Sequence, residues 1–112
     1  MRHLIKRLEE VKKTTRVKGE WEGPSQTGSY EWVTYDSGHR QWSPFRVRNM
    51  KNRIARVVWP DLPKTGYMVT EEQPRTYEQR PVGKIFKRLA DAKKDALRRF
   101  KKRMREVNAA SH

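Results

Sequence analysis

Tyr30-Glu31-Trp32-Val33-Thr34-Tyr35-Asp36-Ser37-Gly38-His39-Arg40-Gln41-Trp42 is the stretch that decides the fold class. Tyr30, Trp32 and Thr34 alternate with Glu31, Val33 and Tyr35, and most of these are good strand formers. Asp36-Ser37-Gly38 follows at once and supplies turn chemistry, with glycine free to adopt positive φ. His39 through Trp42 then reads as the returning strand. A two-stranded hairpin is barely stable alone in water, so it needs a further element to lean on. Trp21 is placed on an earlier, third strand, bounded by Gly19 and by Gly23-Pro24-Ser25.

Towards the N-terminus, Leu4, Ile5, Leu8 and Val11 fall on one helical stripe, with Lys6, Arg7, Lys12 and Lys13 mostly off it. Residues 1–18 therefore read as a basic helix. They resemble the start of an amphipathic transit peptide, but Glu9 and Glu10 count against that reading.

Residues 19–60 form the expected aromatic core, ending in a basic segment over 44–60. Here the signals conflict. Ser43-Pro44 can open a helix, and Val47, Met50, Ile54 and Val57 recur at helical spacing. Phe45 and Val47 alternating with Arg46 and Arg48 argue for a strand. The balance favours a short helix that becomes extended before Pro60. Residues 61–81 contain Pro63, Gly66, Pro74 and Pro81 and read as an extended surface connector anchored by Tyr67. Residues 82–108 read as one basic amphipathic helix, with Val82, Ile85, Phe86, Leu89, Ala92, Ala96, Phe100, Met104 and Val107 on one stripe. The expected class is thus a small, irregular α+β fold: a short aromatic hairpin or sheet flanked by an N-terminal helix and a long basic C-terminal helix.

Composition bounds the function. Among 112 residues, 27 Lys and Arg face 13 Asp and Glu, a net charge of +14. The excess falls in three blocks, net +5 over 1–18, +5 over 44–60 and +8 over 81–112. Such an excess speaks about partners rather than fold, and polyphosphate is the commonest partner because each neutralised phosphate releases a counterion. Leu, Ile, Val and Phe number only 20, just under the ~20% level at which charged chains tend to disorder. A minimal core with long arms, folding with little cooperativity alone, is the expectation.

With no cysteine, disulfides, thiolate metal sites and thiol nucleophiles are excluded. His3, His39 and His112 lie far apart and no HExxH pair occurs, which argues against a metal. Neither GxSxG nor a phosphate-cradling glycine loop is present. Asp36 beside His39 reads as a turn aspartate next to a surface histidine. No catalysis, no cofactor and no small-molecule substrate is expected, and no apolar run suffices for a transmembrane segment.

The candidate nucleic-acid contacts are Arg46, Arg48, Lys51, Arg53 and Arg56, a segment without an acid, and Arg98, Arg99, Lys102 and Arg103 on the C-terminal helix. Arginine binds phosphate bidentately and stacks on bases. A solvated face normally mixes signs. Trp21, Tyr30, Trp32, Tyr35 and Trp42 are either a platform for unpaired bases or a core for a sheet short of aliphatics; with no recognition-module motif present, core is the preferred reading.

No family motif matches residue by residue. In composition and layout alone, the chain is similar to small accessory ribosomal proteins, especially organellar ones. That similarity implies RNA, specifically rRNA, and neighbouring proteins of a large assembly as partners, in a mitochondrial or other organellar ribosome, or otherwise the cytoplasm. A free nucleic-acid binder of phage or nucleoid type, with one basic face, is an alternative. So is an accessory subunit of a membrane or protein complex, bound through the stripe from Ile85 to Met104.

Overall fold

In a computed structural model, residues 18–36 and 39–110 are described. The helix expected over 1–18 lies almost wholly outside them. Five strands, β1 (Gly19–Glu22), β2 (Ser29–Asp36), β3 (His39–Asn49), β4 (Tyr67–Glu72) and β5 (Gln79–Phe86), form one antiparallel sheet in sequence order. A short helix α1 (Arg53–Val58) sits in the β3–β4 connection, and a long helix α2 (Leu89–Ala110) follows β5. At 1.5 Å per residue its 22 residues span about 33 Å. The class is α+β, as expected, with a larger sheet.

The hairpin reading holds in register: Tyr35 pairs with Arg40 and Thr34 with Gln41. Trp21 lies on β1 opposite Trp32. Strand alternation then sorts the side chains into two faces. One carries Trp21, Tyr30, Trp32, Phe45, Val47, Tyr67, Val69, Val82 and Phe86, and α2 packs Leu89, Ala92, Ala96, Leu97, Phe100 and Met104 onto it. The narrow alanine stretch of the helix stripe is what lets the helix approach: Ala92 and Ala96 are fully buried on Val47 and Val69. Trp32 meets Trp21 edge to face, centroids 5.4 Å apart. Among the described residues its Nε1 has no hydrogen-bond partner.

Three expectations are corrected. The 44–60 segment runs strand first, helix second. Ser43 does not cap a helix; its Oγ accepts a hydrogen bond from the Phe45 N–H at 3.0 Å inside β3, where β3 carries two more residues than β2 between the Glu31–Arg46 and Val33–Trp42 pairs. The two-residue alternation at 45–48 wins because both neighbouring strands pair with it. The helix starts only at Arg53, capped by Asn52, whose side chain accepts from the Ile54 N–H.

The 61–81 connector is extended but belongs to the sheet: β4 occupies its middle and β5 begins at Gln79. Pro81 fits because β5 is an edge strand, where one donor can be spared. The C-terminal helix begins at Leu89, not at 82. Val82 and Ile85 fit a helical stripe by spacing, yet they point to opposite faces of β5. An irregularity between their pairs with Val69 and Met68 separates them. Gly83 lies there with φ +73°, a backbone state that favours glycine. A Cβ at Gly83 would come within 2.5 Å of the Arg99 guanidinium.

The second face of the sheet is polar. Arg46 reaches Glu31 at 3.2 Å and Glu72 at 3.5 Å. Gln79 donates to Glu72 at 3.2 Å and accepts from the Thr70 hydroxyl at 3.0 Å. The chain of contacts crosses β2, β3, β4 and β5. Among the described residues, cover on this face is at one end, where Met50, Ala55 and Met68 pack with Trp59, Leu62 and Ile85.

Candidate nucleic-acid interface

The nine basic residues singled out in the sequence divide by environment. Arg46 is half-buried between two carboxylates, so its charge is already matched within the sheet. Its Nε lies near Glu31 but is not aligned for a hydrogen bond. Arg48 stands beside it on the same face, 5.6 Å from the centroid of the Trp59 ring, with Nη1 3.4 Å from Thr27 Oγ1. Burial, and then repulsion from Arg46, lower its pKa. Lys51, Arg53 and Arg56 are exposed around α1. They surround Ile54, Val57 and Val58, which are also exposed.

On α2, Arg99 and Arg103 face the sheet. Arg99 donates to Asp95 at 2.7 Å, and Arg103 reaches across to Glu71 of β4 at 2.7 Å while lying over the Phe45 ring. The Arg103–Glu71 pair clasps helix to sheet, whereas the Arg99–Asp95 pair lies within α2. Arg98 is exposed and pairs with the other oxygen of Asp95 at 2.6 Å. Burial pushes the Asp95 carboxyl up, but hydrogen bonds from Arg99 and Arg98 outweigh it and hold the group below the ordinary carboxylate range. Lys102 is exposed, and among the described residues no carboxylate lies within ion-pair distance of it.

Three cations missed in the sequence complete a row. Lys94, Arg98, Lys101, Lys102 and Arg105 fall at i, i+4, i+7, i+8 and i+11, one side of a helix opposite the buried alanines. At 1.5 Å per residue the row is about 17 Å long. The signal was present as spacing: these positions are what the apolar stripe leaves over. Lys93, in contrast, is structural, its ammonium 5.0 Å from the Tyr30 ring centroid and 5.4 Å from that of Trp21. At the N-terminal end of the row an open groove of about 590 Å³ is lined by Lys84, Phe86, Asp91, Lys94, Asp95 and Arg98.

Exposed cations, most of them without a carboxylate partner among the described residues, therefore lie on two sides of the sheet: along the outer side of α2, and around α1 at the partly covered end of the other face. The sheet face itself is not basic, since Glu20, Glu22, Glu31 and Glu72 share it with Arg40, Arg46 and Arg48. Among the described residues no group of three or more acidic or histidine side chains could hold a metal ion, and no helix is long and apolar enough to cross a membrane. A row of flexible cations on a rigid helix can follow a phosphate backbone; it offers no fixed donor pattern for reading base edges. Comparison with protein-family models, with curated proteins and with solved structures gave no match.

Proposed function

We propose that the chain is a structural, non-enzymatic RNA-binding protein of a large ribonucleoprotein, of the type of the small accessory ribosomal proteins. The observation that carries this reading is the row Lys94, Arg98, Lys101, Lys102 and Arg105 on the solvent side of α2. Only Arg98 in that row has a carboxylate partner among the described residues. An external polyanion would take the place of the solvent counterions along this row. Release of counterions from that polyanion supplies affinity without sequence preference.

RNA in an assembly, rather than a free DNA duplex, is favoured by the second set of cations. Lys51, Arg53 and Arg56 are exposed beside the sheet face that α2 does not cover. A single straight duplex docked on α2 leaves them unmatched. Folded RNA, or RNA together with a neighbouring protein against Ile54, Val57 and Val58, engages both.

The test is association of the full chain with RNA at several salt concentrations. Affinity should fall linearly on a log–log plot, by about 0.7–0.9 units of slope per phosphate contact. In parallel, the chain should co-sediment with ribosomal subunits at low salt and be released at high salt. Salt-independent binding, or none, would remove the proposal.

A further inference from the structure

The five aromatic residues Trp21, Tyr30, Trp32, Tyr35 and Trp42 of β1, β2 and β3 do not share one fate. Trp21, Tyr30 and Trp32 lie under α2. Tyr35 and Trp42 remain on the opposite face, 49% and 50% exposed. The register pairs Tyr35 with Arg40 and Val33 with Trp42, so all four side chains project from the same side. Val33, completely buried, forms the floor.

Arg40 lies across both rings. Its guanidinium carbon is 5.2 Å from the Trp42 centroid and 6.0 Å from that of Tyr35. Each polar end is tied down on β1: the Tyr35 hydroxyl donates to Glu20 Oε1 at 2.9 Å, and Arg40 pairs with Glu22. The cluster is thus two rings and a guanidinium plane held in place yet open to solvent. Among the described residues neither ring belongs to either apolar cluster.

Such a surface matches the π-face of a nucleobase. Stacking on aromatic rings and on arginine planes is how proteins hold bases that are not paired. The carboxylates of Glu20 and Glu22 disfavour a phosphate at this spot. They can accept hydrogen bonds from the exocyclic amino groups of a base. The polyanion that carries the base is the one proposed above, for which the net charge of +14 argues. We propose that Tyr35, Arg40 and Trp42 form a stacking site for an unpaired base of a single-stranded nucleic-acid segment. This rests on the nucleic-acid reading above and adds to it a preference for unpaired over duplex segments.

The experiment compares the full chain and its variants on a labelled single-stranded oligonucleotide and on a duplex of the same length, by fluorescence anisotropy at several salt concentrations. Trp42→Ala should weaken single-strand binding by about tenfold or more, the scale of one lost base stack. Duplex affinity and the salt slope should stay as in the wild type, because stacking releases no counterions. Trp42→Phe, which keeps a ring, should restore most of the loss. Tyr35→Ala should repeat the effect of Trp42→Ala, and unchanged far-ultraviolet circular dichroism should show both variants folded. Unchanged single-strand affinity in both alanine variants, with salt-dependent binding intact, overturns the stacking site alone. Equal loss on single strand and duplex overturns it as well. Absence of salt-dependent binding by the wild type overturns the nucleic-acid reading itself.

Discussion

Residues 46–56 and 98–105 are both rich in basic side chains, and the fold uses the two segments in different ways. In β3 the side-chain period of two sends Arg46 and Arg48 to a face shared with β2 and β4, where Glu31 and Glu72 wait opposite Arg46. In α2 the wider angular spread sends some cations to the sheet and others directly away from it. Arg103 therefore fastens the helix to β4 and Arg99 is answered by Asp95 within the helix, while Lys94, Lys102 and Arg105 stay outside. Charge in a strand flanked by carboxylate-bearing strands, as at Arg46, is answered within the molecule. Charge on the outer side of a helix is available to a partner.

The contrast can be broken first at its apolar base. Phe100 is 7% exposed and anchors the inward side of α2. Phe100→Ala should cost about 3–5 kcal/mol, as for other buried aromatic truncations, measured by denaturant unfolding. A loss below 1 kcal/mol would mean that α2 is not held by its core and that its outer row has no fixed platform.

Arg46 tests the strand half. Arg46→Met removes the cation between Glu31 and Glu72, all three side chains being less than a third exposed. Leaving two carboxylates without their partner should cost about 1–3 kcal/mol. If stability is unchanged, the ion pairs in β3 are incidental.

Asp95 gives a smaller effect with a defined pH dependence. Its pKa is depressed in the folded protein. Its contribution to stability is therefore present above the ordinary carboxylate pKa and lost as pH falls through the depressed folded value. Asp95→Asn should cost about 0.5–1 kcal/mol near neutrality and flatten the acid side of the stability profile. A profile identical to the wild type would contradict the pairing with Arg98 and Arg99. Smallest of all, Lys102→Gln and Arg105→Gln should leave stability within about 0.5 kcal/mol, as surface changes do.

How much of this was legible in the sequence depends on how many signals each segment carried. The hairpin at 30–42 was legible because alternation and turn chemistry agree there, and Trp21 could be placed on a third strand by its own flanking breakers. At 45–48 the same alternation competed with Ser43-Pro44 and a helical spacing. Only pairing with β4, distant in sequence, resolves it. Pro74 and Pro81 looked like marks of a connector because nothing local says that β5 is an edge. Val82, Ile85 and Phe86 match a helical stripe as well as a strand with an irregularity, and Gly83 was the sole local hint. The candidate site was half legible. Basic composition located both segments, but which arginines meet carboxylates depends on cross-strand neighbours. The free row on α2 follows from helical geometry once the stripe is known.

The most direct test sets the two segments side by side in one titration: RNA affinity against salt for the wild type, for Arg46→Gln, and for the fourfold variant Lys94→Gln, Arg98→Gln, Lys102→Gln, Arg105→Gln. The fourfold variant should lower the log–log slope by about three units, while Arg46→Gln leaves it unchanged, since only solvent-side cations displace counterions. A slope that falls with Arg46→Gln and stays constant in the fourfold variant would contradict the account.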